Sequence, residues 1–173
     1  MSNILTINAG SSSLRVARYE VNQGKAECRQ DSEASDQPQR LHEHLRALLQ
    51  EDLGQVDAVA HRVVHGGPDL WRPVRVDDEV AARIADASEL APLHNPVAHE
   101  MLELARGHFD PSVMHVACFD TGFYRQLPAV ASTYAIPRHL NDQYPVRRYG
   151  FHGLAHQAML KGLRERYSQA NQP

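Results

Sequence analysis

Residues 4–19 read ILTINAGSSSLRVARY, and they decide the class of fold. Ile4, Leu5, Thr6 and Ile7 make a short buried strand. Asn8-Ala9-Gly10-Ser11-Ser12-Ser13 is a turn by composition. Leu14, Val16 and Tyr19 return as a second short run with Arg15 and Arg18 between them, so the segment predicts a hairpin. Asn22-Gln23-Gly24-Lys25 is a further turn, and residues 31–37 are polar enough to predict a loop. Beyond that point strands alternate with helices. Leu41, Leu45, Leu48 and Leu49 recur at helical spacing within residues 38–53. Residues 56–64 form a buried strand. Residues 77–90 form a helix carrying Val80, Ile84 and Ala87. Asn95-Pro96 reads as a cap and first-turn proline, opening a helix that Gly107 stops. Residues 113–119 are a strand, 131–136 another candidate, 137–150 a loop, 154–167 an amphipathic helix and 168–173 a polar tail. Strands that open as a meander and then alternate with helices predict an α/β domain with a mixed sheet.

Composition narrows the function. The chain has 173 residues, enough to bury one sizeable core. A formal net charge of -3 advertises neither a nucleic-acid nor a membrane partner. No apolar run approaches the roughly 18 residues a span needs, and residues 1–8 lack a signal-peptide pattern, so a cytoplasmic protein is expected. Cys28 and Cys118 make no CxxC pair, which fits a reducing compartment.

Five segments can carry chemistry. Residues 8–15, NAGSSSLR, set a glycine and three serines between strands, with Arg15 behind them. Such a turn can aim N–H groups and hydroxyls at a phosphate, or be only a serine-rich hairpin. Residues 61–67, HRVVHGG, end a strand, where ligands of α/β sheets bind. Arg62 can grip a carboxylate or phosphate with two prongs, or lie on the surface before a tight turn. Residues 90–96, LAPLHNP, place His94 before a helix start, facing an anion or merely lying beside a cap. Residues 118–123, CFDTGF, put Asp120 at a strand end, as metal or base organiser or as a turn cap. Residues 147–156, RRYGFHGLAH, gather Arg147, Arg148, Tyr149, Phe151, His152 and His156. A helix would set His152 and His156 on one face. His61, His65, His94, His152 and His156 therefore raise a histidine-based metal protein as a rival reading, although HExxH and zinc spacings are absent. Walker and GxGxxG loops are absent too.

Taken in order, NAGSSSLR, HRVVHGG, LAPLHNP, FDTGF and RRYGFHG resemble segments of the acetate kinases, with propionate and butyrate kinases as near relatives. The resemblance runs from Ile4 to about Tyr167. It implies a ribonuclease H-like domain of the actin, sugar kinase and heat-shock ATPase superfamily, whose members have two such domains and a cleft site between them. It implies reversible phosphoryl transfer between ATP and acetate, giving acetyl phosphate and ADP, with Mg²⁺ as cofactor. Carried over by position, Asn8, Ser11, Ser13 and Arg15 match the phosphate loop, with Asn8 a candidate Mg²⁺ contact. Arg62 matches a catalytic arginine, His94 and His152 match histidines on the phosphoryl group, and Asp120 matches the essential aspartate. Val64, Leu93 and Phe151 match the apolar wall around the substrate methyl group.

Departures from the family are also legible. Arg15 stands where lysine is common. Gly122, Tyr124 and Arg125 differ from the usual residues, Leu154-Ala155 replaces a more polar pair, and the stretch between Tyr19 and His61 is short. Family members are more than twice as long. Residues 1–167 therefore read as the amino-terminal domain, 168–173 as a tail, and the carboxy-terminal nucleotide-binding domain as absent. Its adenosine site, second arginine, metal-linked glutamate and most of the dimer interface would come from a missing half or a second chain. A non-catalytic phosphate or acyl phosphate binding module and a propionate kinase are the alternatives.

Overall fold

The computed structural model describes residues 1–144 and 146–170. Strands β1 (Ser2–Ala9), β2 (Ser13–Asn22), β3 (Lys25–Ser35), β4 (Ala58–Val63), β5 (Val74–Arg75) and β6 (Met114–Phe119) form one sheet in the order β3-β2-β1-β4-β6-β5. β1, β4 and β6 run parallel, while β2, β3 and β5 pair antiparallel at the two sides. This is the expected α/β mixed sheet. The helices are α1 (Pro38–Leu49), α2 (Asp78–Asp86), α3 (Asn95–His108), α4 (Ala129–Ser132), α5 (Arg138–Gln143) and α6 (Gly153–Ala170). None of the described helices is long and apolar enough to cross a membrane.

Period-two burial builds the main core. Leu5, Ile7 and Ala9 of β1, Leu14 and Val16 of β2 and Val59 of β4 pack on Leu41, Leu45 and Leu49 of α1 and on Val97, Met101 and Ala105 of α3. Each such leucine is worth about 1.5–3 kcal/mol when fully buried. A second cluster joins Val63, Ala117 and Phe119 to Val80, Ala81 and Ile84 of α2 and Leu102 of α3. The β2–β3 hairpin turns through Gln23 (φ 49) and Gly24 (φ 77), the two positive angles that match strand twist in a two-residue loop.

Several expectations are corrected. Residues 31–35 belong to β3, not to a loop. β3 is an edge strand, exposed or half-exposed throughout, so it carries no apolar alternation. Cross-strand ion pairs, Arg15 to Asp31 and Arg29 to Glu20, accompany its pairing. Residues 129–132 coil as α4 after Pro128, whose carbonyl accepts from the Ala131 and Ser132 amides. Of the candidate strand, Thr133 makes an isolated bridge to Arg147, and the Ser132 carbonyl accepts from the Arg148 amide at 2.7 Å, but no ladder forms among the described residues. The loop expected over 137–150 contains α5, entered from Pro137. The helix expected over 38–53 ends at Leu49, and that over 77–90 gives way after Asp86 to a 3₁₀ turn, Ala87–Leu90. α6 runs to Ala170, so the tail begins later than expected, and its last residues, 171–173, lie outside the described ones. Met159, Leu160, Leu163 and Tyr167 of α6 remain exposed.

Beneath the sheet lies a buried histidine pair. His61 Nε2 lies 3.0 Å from His115 Nδ1, the rings stack at 5.3 Å, and His61 Nδ1 has no partner. Burial, then the charges of His115 and Arg106, push the His61 pKa down to about 3. Burial also lowers those of His65 and His115. The unfolded chain thus binds more protons than the folded one between the free-histidine value of about 6.5 and the folded values. Stability is full above about pH 6.5 and falls as the pH drops, by up to about 1.4 kcal/mol per pH unit for each such group. Thermal melts from pH 7 to 5 should show this slope, and His61→Gln should flatten it. An equal slope in the variant would remove His61 from the account.

Candidate active site

The parallel register sets three polar residues side by side. Asn8 pairs with Arg62 across β1 and β4, and Val63 pairs with Phe119 across β4 and β6, so Asp120 follows at the next position. All three stand at the carboxyl ends of the parallel strands, where open α/β sheets bind ligands. Arg62 donates from Nε and Nη2 to Asp120 Oδ2, at 3.1 and 2.7 Å, and from Nη1 to Asn8 Oδ1, at 2.9 Å. Asp120 is 1% exposed, whereas a quarter of the Arg62 side chain is open. The buried carboxylate thus anchors a guanidinium whose outer edge meets solvent.

The chain around this triad is tightly held. The 3₁₀ turn Asp120–Tyr124 carries the start of α6 on its back, and the Leu154 amide donates to Asp120 Oδ1 at 3.4 Å. A Cβ on Gly153 would collide with the Asp120 carbonyl oxygen, so glycine permits this approach. Asn95, expected as a helix cap, is instead fully buried and clamps the loop after β4. Its Oδ1 accepts from the His65 amide at 3.1 Å, and its Nδ2 donates to the His65 carbonyl at 2.8 Å. The Gly67 amide donates to His65 Nδ1 at 2.9 Å, which leaves the proton of the neutral ring on Nε2. Asn95 escaped the sequence reading because Asn-Pro before an apolar run is also a cap signal.

One cavity of about 340 Å³ opens beside the triad. Arg62, Asp120, His94 and His152 line its polar side, and Val64, Leu93 and Phe151 with Leu90, Ala91 and Pro92 its apolar side. Seven of the residues singled out from sequence therefore share one space. His94 occupies the N-cap position of α3 without capping it, which leaves the ring to the cavity. His152 has a φ of 56°, a left-handed conformation uncommon outside glycine and a mark of local strain held by the surrounding structure. A larger cavity, about 680 Å³, lies by the amino end of β6 among Arg75, Asp78, Glu103 and Arg106, and contains none of these residues.

Other expected residues stand apart. Arg15 is the cross-strand neighbour of Asn8, yet its Nε and Nη2 donate to Asp31 at 2.9 and 2.5 Å, away from the cavity. That contact raises the arginine pKa and lowers that of Asp31. Ser11 is exposed and Ser13 half-buried in a turn closed by the Gly10 amide on the Ser13 carbonyl at 2.7 Å. The five histidines do not assemble into one ligand set. His61 pairs with His115, His65 packs on Tyr149, and His156 lies against Phe123 and Tyr124. His152 precedes α6, so it shares no helix face with His156. Among the described residues, no three His, Cys, Asp or Glu side chains are grouped to hold a metal ion.

This geometry has relatives. The sequence model of the Acetokinase family matches residues 18–172. Acetate kinase 2 of Vibrio cholerae serotype O1 is 39% identical over 184 aligned positions, covering 90% of this chain and 46% of that protein. A propionate kinase from Francisella tularensis superposes with a TM-score of 0.79 at 28% identity, over 97% of this chain and 50% of its own. The Entamoeba histolytica acetate kinase gives 0.73 at 25% identity, over 95% and 46%. The Porphyromonas gingivalis acetate kinase gives 0.68 at 28% identity, over 90% and 46%. The chain spans about half the length of the relatives it matches. Its domain has the actin, sugar kinase and heat-shock ATPase type of fold that the resemblance implied. By its match over residues 18–172, the chain belongs to the Acetokinase family.

Proposed function

We propose that this chain forms the acyl and phosphoryl side of an acetate kinase-type phosphotransferase, which moves a phosphoryl group reversibly between ATP and acetate. The observation that carries this reading is the Asn8–Arg62–Asp120 triad opening onto a cavity shared with His94, His152 and an apolar wall. A carboxylate acceptor is already ionised near neutral pH, so no strong general base is needed. The difficulty is to bring one anion up to another. Arg62, His94 and His152 line one side of the cavity and supply donors and positive charge to the transferring group. Asp120 and Asn8 hold the Arg62 fork in one orientation before substrate arrives. Val64, Leu93 and Phe151 take the methyl group. One methylene in such a pocket is worth about 1–3 kcal/mol, so propionate is a second acceptor, not an excluded one.

The asparagine oxygen of Asn8 and the carboxylate of Asp120 are hard oxygen donors bridged by one guanidinium. Mg²⁺ keeps several waters and takes phosphate oxygens, so two protein donors suit it. When bound, the ion would neutralise charge on the phosphates. Asn8, Ser11 and Ser13 are assigned to the phosphate loop of this scheme, and Arg15 would join it after release from Asp31. The adenosine side comes from a second domain, in the same or another chain, and the reaction belongs to cytoplasmic organic acid metabolism.

The half-length match also favours a second reading, a module that binds phosphate or acetyl phosphate without turnover. Calorimetric titration of the folded chain with acetyl phosphate tests what the two readings share. Saturable binding is expected, with Kd on the order of 1 mM, about −4 kcal/mol. His94→Ala should weaken it about tenfold, the value of one charge-assisted contact. A folded chain that binds nothing contradicts both.

A further inference from the structure

Trp71 is the single tryptophan of the chain, and two arginines lie over its ring. Cζ of Arg72 is 4.2 Å from the ring centroid and that of Arg125 is 5.8 Å away. Arg147 lies over Tyr149 at 5.2 Å, and Arg148 over Tyr134 at 5.2 Å. Trp71, Arg125, Arg147 and Tyr149 line one small recess with Thr121 and Tyr124, and no carboxylate lines it. Six other arginines, Arg15, Arg29, Arg40, Arg62, Arg83 and Arg106, stand in ion pairs with acids. Among the described residues, none of Arg72, Arg125, Arg147 and Arg148 stands in an ion pair with a carboxylate, and Arg147 Nε is buried with no hydrogen-bond partner.

A guanidinium stacked on a ring uses its face and keeps its N–H fork free in its own plane. Aromatic stacking therefore fixes these cations without consuming their donors. That arrangement suits an anion with several oxygens, since each fork can hold two of them. The recess itself holds only about 10 Å³, so an organic body cannot enter it, and a ligand must lie across its rim. The site is separate from the reaction cavity. It backs onto the same 3₁₀ turn, from the side of Thr121 and Tyr124, while Asp120 faces the cavity.

We propose that the recess around Trp71, Arg125 and Arg147 binds a small, multiply charged diphosphate group, free or carried by a nucleotide. The proposal does not depend on the kinase reading.

Trp71 reports the site directly, because no other tryptophan emits. Sodium pyrophosphate and ADP are each titrated into the full chain while tryptophan fluorescence is followed, with circular dichroism as the check on folding. A saturable change is expected with pyrophosphate. The double substitution Arg125→Gln with Arg147→Gln should weaken it at least about tenfold, whereas His94→Ala should leave it unchanged. Arg147→Lys, which keeps the charge but loses the planar fork, should weaken binding several-fold and covers failure of the double variant to fold. Equal affinity for pyrophosphate and ADP identifies the free diphosphate as the recognised group, and tighter ADP binding with the same arginine dependence identifies a nucleotide. No saturable change, or one that survives the arginine substitutions intact, overturns the proposal.

Discussion

Arg62→Ala is expected to cost the folded chain about 3–5 kcal/mol, the usual loss when one partner of a buried ion pair is removed. The magnitude follows from the asymmetry of the pair. Asp120 is 1% exposed, and its Oδ2 receives two of the three Arg62 hydrogen bonds. Without the guanidinium, the carboxylate keeps only the long contact from the Leu154 amide, at 3.4 Å. A buried, unpaired charge is then left behind. Asp120→Asn in the same chain removes that charge, so the double variant should be more stable than Arg62→Ala alone. Urea unfolding of the three variants measures both statements. A loss below about 1 kcal/mol for Arg62→Ala would place the pair in the class of weak surface bridges and undo the argument.

The second large effect is on rate. In a complete enzyme built with this chain, His152→Ala should lower kcat by about 10²–10³-fold, the range for losing one preorganised donor to a transition-state charge. KM should move little, because the contact strengthens as charge develops. Backbone and side chain must be separated here, since the φ of 56° at His152 disfavours alanine as well. Asparagine tolerates the left-handed region better, so His152→Asn isolates the side-chain role. If His152→Asn keeps full activity, the histidine is a backbone residue and not a donor.

The sequence exposed what burial wrote into it. β1, β4 and β6 read as strands because their apolar content is dictated by covered faces, and α1 because its leucines face the sheet. β3 did not, because an edge strand of Lys, Glu, Arg, Gln and Asp looks like a loop until its partner is known. α4 and α5 did not, because they are short, begin at prolines and bury no residue. Most of the site was legible. The motif residues Arg62, Val64, Leu93, His94, Asp120, Phe151 and His152 meet in one cavity although they are spread along the chain from residue 62 to residue 152. Two features could not be read. Nothing local says that Asn95 points inward to clamp His65, or that Arg15 spends its fork on Asp31. The arginines around Trp71 were invisible for a related reason, because Arg72, Arg125 and Arg147 are brought together only by the fold.

The most direct test replaces the matched half of the Vibrio cholerae acetate kinase with this chain and measures ATP formed from acetyl phosphate, ADP and Mg²⁺. The account predicts turnover that falls by about 10²–10³-fold on His152→Asn. A folded chimera that binds ADP yet forms no ATP would contradict it.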